Sequence, residues 1–162
     1  MKTLFFIQAR YRSSRLPGKV LLPLGGSTVL QFLIDRLAQK FPSIQTAVLT
    51  GGEGAEIIKI YCDTIGVNCI VGPENNLLAR FEKAVELLQP EYFVRLTADN
   101  PVINLDYISD ALHLMDTNQA EAVSTRRILI DNKSQVCGYY GLPKGHNFDC
   151  FHKDSFNRLF SE

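Results

Sequence analysis

The sequence predicts a three-layer α/β protein, a mostly parallel sheet with helices on both faces. Three observations predict it. Short apolar runs alternate with segments of helical periodicity along most of the chain, the pattern of successive βα units. Glycine or proline follows two of the apolar runs, as Gly51-Gly52 and Gly72-Pro73, where strands stop and turn. The chain has 162 residues, 46% apolar and 21% charged, which is enough to bury one core and ordinary for a globular domain.

Taken in order, residues 4–8 are a short apolar run and a buried first strand. A polar, basic loop fills 9–19. Ser27 or Thr28 caps a helix whose Val29, Leu30, Leu33, Ile34, Leu37 and Ala38 share one face. Residues 46–50 are a second strand, 53–65 a helix carrying Ile57, Ile58, Ile60 and Tyr61, and 67–71 a third strand. Residues 77–88 place Leu78, Phe81, Val85 and Leu88 at helical spacing. A fourth strand spans 92–96, a helix 105–115 and a fifth strand 122–124. Beyond Thr125 the pattern weakens: 126–135 is a loop or hairpin, 136–142 a strand and 155–160 the start of a terminal helix. No repeat or linker divides the chain, so 1–162 is expected to be one domain. The whole is a Rossmann-like arrangement, and such sheets bind ligands beyond the carboxyl ends of their strands. That rule selects the loops 9–19, 50–54 and 97–101.

Composition narrows the function classes. Seventeen basic and seventeen acidic residues cancel, which gives no support to a nucleic-acid partner. Their distribution is uneven: Lys2, Arg10, Arg12, Arg15 and Lys19 all precede the first acid, Asp35. A local cationic excess of this kind suits a small polyanion. No apolar run approaches the roughly 20 residues that span a membrane. The basic-then-apolar start at Met1 to Ile7 ends at Gln8-Ala9-Arg10, too early for a signal peptide. Cys62, Cys69, Cys137 and Cys150 form no C-x-x-C pair, so free thiols in a reducing cytoplasm are expected. His113, His146 and His152 lack metal-ligand spacing; the first is expected on a helix face, the others in surface or packing roles.

The loop Gln8-Ala9-Arg10-Tyr11-Arg12-Ser13-Ser14-Arg15-Leu16-Pro17-Gly18-Lys19 places four cations directly after a strand. Arginine presents a planar fork to phosphate oxygens and lysine a compact charge. A triphosphate needs such neutralisation before an oxygen can attack it. The loop is not a Walker A motif, which requires Gly at Ser13 and Ser or Thr at Val20, and no G-x-G-x-x-G is present. The same run also suits a solvated basic loop.

The segment Val94-Arg95-Leu96-Thr97-Ala98-Asp99-Asn100-Pro101 puts a carboxylate just past an apolar strand. That places it well for Mg²⁺, a hard cation that bridges carboxylates and phosphates. Asp and Asn before Pro are also ordinary turn formers. If the basic loop and this acidic turn face one cleft, the pair has the minimum equipment for phosphoryl or nucleotidyl transfer.

These stretches resemble a known family. Gln8-Ala9-Arg10, Ser14-Arg15-Leu16-Pro17-Gly18-Lys19 and the following Leu22, Leu24 and Gly26 resemble the signature of the cytidylyltransferases that make CMP-linked sugar acids. The likeness extends to Gly72-Pro73-Glu74, Leu78-Ala79-Arg80-Phe81 and Arg95 to Pro101. The family includes CMP-sialic acid and CMP-Kdo synthetases and, nearest, the SpsF-like spore-coat polysaccharide branch. The resemblance implies the nucleotide-diphospho-sugar transferase type of fold. It also implies a Mg²⁺-dependent transfer of CMP from CTP to a sugar or sugar acid, with release of pyrophosphate. Arg10, Lys19 and Asp99 would be catalytic. Gln8, Ala9, Arg10, Ser14, Arg15, Lys19, Arg80, Thr97 and Ala98 would bind the nucleotide. Asp99 and Asp149 would be the metal residues. Relatives suggest a homodimer.

Three departures accompany the resemblance. Ala98 stands where the family has glycine, which a negative φ would tolerate. In Gly145-His146-Asn147-Phe148-Asp149-Cys150-Phe151, Asn147 replaces an expected aspartate while Asp149 occupies the glutamate place. Relatives continue for several elements beyond Glu162, so the chain is expected to be shortened at its carboxyl end. Two other functions fit the same residues: a uridylyl- or guanylyltransferase of this architecture, or an inactive nucleotide-binding subunit.

Overall fold

The computed structural model describes residues 2–13, 15–117, 120–130, 136–143 and 145–160. The elements run β1 (Thr3–Gln8), β2 (Pro23–Leu24), β3 (Ser27–Thr28), α1 (Val29–Lys40), β4 (Gln45–Gly51), α2 (Ala55–Thr64), β5 (Asn68–Gly72) and α3 (Leu77–Leu88). They continue through β6 (Tyr92–Thr97), α4 (Leu105–Thr117), β7 (Ala122–Ser124), β8 (Arg126–Ile130), β9 (Val136–Gly141), β10 (Asp149–His152) and α5 (Lys153–Phe160). A short 3₁₀ turn, Lys19–Leu21, follows the basic loop.

The main sheet has the order β5-β4-β1-β6-β10-β7. β5, β4, β1 and β6 are parallel, whereas β10 runs antiparallel to both β6 and β7. The protein is therefore a Rossmann-like α/β domain with a mostly parallel sheet. Chain order reverses at β1: β4 lies on one side of it and β6 on the other. This is the topological switch point at which ligands bind in open α/β sheets.

Strand alternation makes the three layers. In β1, Phe5 and Ile7 face one way and Leu4 and Phe6 the other. The first face packs with Val48, Val94 and Leu96 against Leu30, Leu33 and Leu37 of α1, Ile58 of α2 and Ile108 of α4. The second packs with Leu49 and Phe93 against Phe81, Ala84 and Val85 of α3 and Phe156 of α5. Both faces are covered, so the strands read as continuous apolar runs. Phe93 is the centre of the second core, with ring centroids 5.0 Å from Phe6, 5.1 Å from Phe156 and 5.9 Å from Phe81.

Side-chain caps open two of the helices, one of them at the Thr28 the sequence suggests. The Thr28 hydroxyl accepts the Gln31 N–H at 3.1 Å, and the Asn76 side chain accepts the Ala79 N–H at 3.0 Å; each satisfies an otherwise orphaned donor. The α3 helix ends at Gln89, the one described non-glycine residue with positive φ, 48°. No described helix is long and apolar enough to cross a membrane.

The segment expected as a loop or hairpin over 126–135 opens with β8, which pairs antiparallel with β9, in keeping with the hairpin alternative; residues 131–135 lie outside the described residues. One difference from the sequence expectation matters: β10 was not foreseen. It is four residues long and includes Asp149 and His152, so it carries neither an apolar run nor clean alternation. It becomes a strand because β6 and β7 leave a slot between them and supply ladder partners on both sides.

Phe93→Ala is expected to destabilise the protein by about 3–5 kcal/mol, the usual cost of deleting a buried ring. Urea unfolding at neutral pH, followed by circular dichroism, measures it.

Candidate functional site

The site is assembled by the ladder continuing past the strand ends. The Ala9 N–H donates to the Leu49 carbonyl at 3.0 Å, and the Ala98 N–H donates to the Gln8 carbonyl at 2.9 Å. The loops after β1 and β6 therefore leave the sheet side by side at the switch point. Ala9 and Ala98 are buried, and their contribution is this backbone register. Ala98 does not have positive φ, so its Cβ costs nothing where the resembling family has glycine.

The basic loop folds back on itself. The Gly18 N–H donates to the Tyr11 carbonyl at 2.7 Å, and buried Val20 pins the 3₁₀ turn that carries Lys19. The Tyr11 ring lies in a slot between two glycines. A Cβ at Gly18 would stand 3.3 Å from Tyr11, and one at Gly54 only 2.4 Å from it; both positions also have positive φ. Arg12 reaches Glu53 at 3.1 Å across the same seam. The Gly51–Gly54 segment thus serves as the wall against which the basic loop rests.

Opposite, the acidic turn is closed by the Asn100 N–H donating to the Thr97 carbonyl at 3.1 Å and by Asn100 Nδ2 donating to Thr97 Oγ1 at 2.8 Å. The two loops meet where Lys19 Nζ donates to Asp99 Oδ2 at 2.5 Å. Burial pushes the Asp99 carboxyl up. The Lys19 ammonium, the Thr97 hydroxyl and a backbone N–H together outweigh burial and hold it below its ordinary value.

Around this pair is a cavity of about 300 Å³. Arg10, Arg12, Lys19 and Arg80 supply its cations, Asp99 its one carboxylate, and Gln8, Ser13 and Thr97 its neutral polar groups. Arg80 is the most telling of these. It comes from the first turn of α3, is only 2% exposed, and forms no ion pair among the described residues. One nitrogen donates to the Glu74 carbonyl at 3.4 Å, while Nε has no partner. Burial and the neighbouring Arg10 both loosen its proton, yet a guanidinium stays charged. A buried cation with an unsatisfied donor beside a second guanidinium is a standing demand for an anionic or acceptor-rich ligand. Gly72 makes room for it, since a Cβ there would lie 2.5 Å from Arg80 Cγ.

The residues singled out from sequence are distributed as follows. Gln8, Arg10, Lys19, Arg80, Thr97 and Asp99 line the cavity. Ala9 and Ala98 act through backbone only. Arg15 is exposed and is not among the lining residues. Ser14 lies outside the described residues. Asp149 is not among the lining residues either, and the structure does not bring it to Asp99. It pairs in register with Arg95, two residues before Thr97. Its two oxygens are engaged by Arg95 at 2.5 Å and by the Ser124 hydroxyl at 2.6 Å. Continued by two residues, the same register carries Asn147 to the level of Thr97. Among the described residues, no three His, Cys, Asp or Glu side chains gather into a ready-made metal centre. Of the two candidate metal residues, Asp99 lines the cavity and Asp149 does not.

Ser13, Leu77 and Arg12 line the cavity without having been singled out as binding residues. Arg12 was visible as one cation of a run. Leu77 carried no signal beyond opening a helix.

The fold and the cleft define a class: an α/β domain with a cation-lined cavity of small-molecule size at its switch point. The family model described as cytidylyltransferase matches residues 4–141, and the chain belongs to that family. It is 34% identical over 146 residues to an uncharacterized protein of Methanocaldococcus jannaschii, covering 89% of this chain and 60% of that protein. It is 38% identical over 106 residues to the spore coat polysaccharide biosynthesis protein SpsF of Bacillus subtilis, covering 62% and 44%. A solved cytidylyltransferase from Leptospira borgpetersenii serovar Hardjo-bovis superposes with a TM-score of 0.79 at 28% identity, over 99% of this chain and 64% of that one. The chain thus spans between 44% and 60% of the length of these two curated relatives.

Lys19→Met is expected to raise the Asp99 pKa, because burial remains while the ammonium that opposed it is gone. Carbon-detected NMR titration of Asp99 measures the change. The stability sign follows from the depressed pKa. In the wild type the Asp99 carboxylate contributes fully above its ordinary value of 3.8 and loses that contribution as pH falls below it. Lys19→Met is expected to flatten this acid limb.

Proposed function

We propose that this protein transfers a cytidylyl group from CTP to a hydroxyl of a sugar or sugar acid and releases pyrophosphate. The observation that carries the reading is the Lys19–Asp99 pair in a cavity whose other charged lining residues, Arg10, Arg12 and Arg80, are all cations. Such a cavity is complementary to a triphosphate, and the pair supplies both signs of charge needed at a phosphoryl centre.

In this reading, Arg10, Arg12 and Lys19 take the phosphate oxygens, with Lys19 exchanging its contact with Asp99 for the incoming triphosphate. Arg80 and Gln8 lie deeper, toward the nucleoside. The acceptor oxygen attacks the α-phosphorus as the bond to the bridging oxygen of the β-phosphate breaks. Pyrophosphate leaves with that electron pair, and the hydroxyl proton goes to solvent or to a neighbouring base. The cations stabilise the charge that gathers on pyrophosphate, so catalysis is mostly positioning and electrostatics. Asp99 would hold Mg²⁺, which would supply further charge neutralisation. The relationship to SpsF supports a role in polysaccharide biosynthesis. The free thiols of Cys62, Cys69 and Cys150 support a reducing cytoplasm as its compartment.

Isothermal titration with CTP, UTP, GTP and ATP in the presence of Mg²⁺ tests the nucleotide. CTP is expected to bind at least about tenfold tighter than the others, a gap of roughly 1.4 kcal/mol, and a preference for GTP or ATP overturns the reading. Pyrophosphate release with a panel of sugar acids tests the transfer. Lys19→Ala and Asp99→Asn are each expected to lower turnover by roughly 10²–10³-fold while lowering the melting temperature by no more than about 2–4 °C, the size of one lost partly exposed ion pair. Both side chains are partly exposed, 31% and 44%, so neither substitution opens the core. Near-wild-type turnover in either variant rejects the site assignment.

A further inference from the structure

We propose that Arg36, on α1 and outside the cavity, is the positioning residue that holds Asp99 at its station opposite Lys19. The inference rests on the nucleotidyl-transfer reading for its functional consequence and on geometry for its physical content.

Arg36 Nη1 donates to two carbonyls of the segment that follows Asp99, that of Pro101 at 2.7 Å and that of Ile103 at 2.9 Å. One helical turn on, Lys40 Nζ reaches Asp106 at 2.9 Å. The 101–106 stretch, which joins the acidic turn to α4, is thus stitched to one side of α1 at positions i and i+4. Arg36 makes no ion pair among the described residues, so its charge is directed at the two carbonyl dipoles. Charge-assisted hydrogen bonds of this kind are about twice as strong as neutral ones.

The other end of α1 holds the other half of the site. The Val29 N–H donates to the Leu22 carbonyl at 3.0 Å, and the Leu22 N–H donates to the Lys19 carbonyl at 3.2 Å. Val20 is buried in the same core as Leu30, Leu33 and Leu37. Lys19 and Asp99 lie 80 positions apart in sequence, and each is fastened within a few residues to the same rigid helix. That helix sets the spacing between them. Without Arg36, the acidic turn keeps its own two bonds from Asn100 to Thr97 and the bond from the Asn104 N–H to His146 Nδ1 at 3.0 Å. It loses both Arg36 bonds to α1, the helix to which the Lys19 turn is also fastened, and keeps only the Lys40–Asp106 contact farther along.

Arg36→Met keeps the aliphatic length and removes the donors; Arg36→Lys keeps one terminal nitrogen with enough protons for both carbonyls. Two readouts are needed. In the free protein, amide hydrogen exchange over residues 98–104 is expected to speed at least tenfold in Arg36→Met, to return most of the way in Arg36→Lys, and to stay unchanged in β1 and β6. CTP binding is then measured by calorimetry with Mg²⁺ and with EDTA. Arg36→Met is expected to lose most of the Mg²⁺-dependent gain in CTP affinity while its Mg²⁺-free affinity stays within about twofold.

Unchanged exchange in Arg36→Met overturns the proposal, whatever the nucleotide result. Faster exchange with an intact Mg²⁺-dependent gain also overturns it, because Arg36 would then be merely structural. Should Arg36→Met not fold, Arg36→Lys and Arg36→Gln carry the same comparison. If the wild type binds no CTP, the function proposed above fails, and the exchange data still decide whether Arg36 holds the turn.

Discussion

The contact on which the rest depends joins Lys19 to Asp99 across the gap between β1 and β6. Neither residue belongs to a strand, yet the sheet brings their two loops out side by side. The bonds from Ala9 to Leu49 and from Ala98 to Gln8 carry the parallel ladder one residue past its regular end, so the two loops depart from adjacent, aligned backbones. The contact forms at the switch point, where no third strand end crowds the space. A cation and a carboxylate 80 positions apart thereby become neighbours at the rim of a cavity.

The cavity is built around unmet electrostatic demand. The ion pair satisfies Lys19 and Asp99 while the cavity is empty, and Arg12 is occupied by Glu53 at the rim. Arg80 is different, because it is buried on α3 and short of partners. Desolvating a guanidinium without an anion is costly, and here the cost is sustained by packing against Gly72 and by the aromatic core one turn below. A partner that supplies acceptors there gains affinity without displacing protein contacts. The adjoining Arg95–Asp149 pair shows the opposite design, with both partners and the Ser124 hydroxyl mutually satisfied. One arrangement suits a ligand site and the other suits a structural layer.

Most of the fold was legible from the chain. The helix over 77–88 and the strand over 122–124 match α3 and β7, and the ends of the parallel strands and of the other helices shift by at most two residues. The apolar runs are long enough, and the cap at Thr28 specific enough, for local rules to suffice. Legibility fails where partners supply the structure. β10 contains a buried cysteine between an aspartate and an aromatic residue, and only the slot between β6 and β7 makes it a strand. Asp149 illustrates the same limit at the site. Its place in a motif suggested a metal residue, and only the register showed that it stands opposite Arg95 and pairs with that guanidinium.

The sequence by itself determined the order of strands and helices, the two chemically unusual loops and the family, because these reside in local periodicity and in short contiguous motifs. Only the tertiary structure decided that Lys19 meets Asp99, that Arg80 is buried without an ion pair among the described residues, that Arg15 is exposed and outside the cavity lining, and that Arg36 ties the acidic turn to α1. Those facts depend on register and on packing between segments far apart in the chain. A side chain's charge is written in its own residue, but its partner is chosen by the backbone that happens to lie across the sheet.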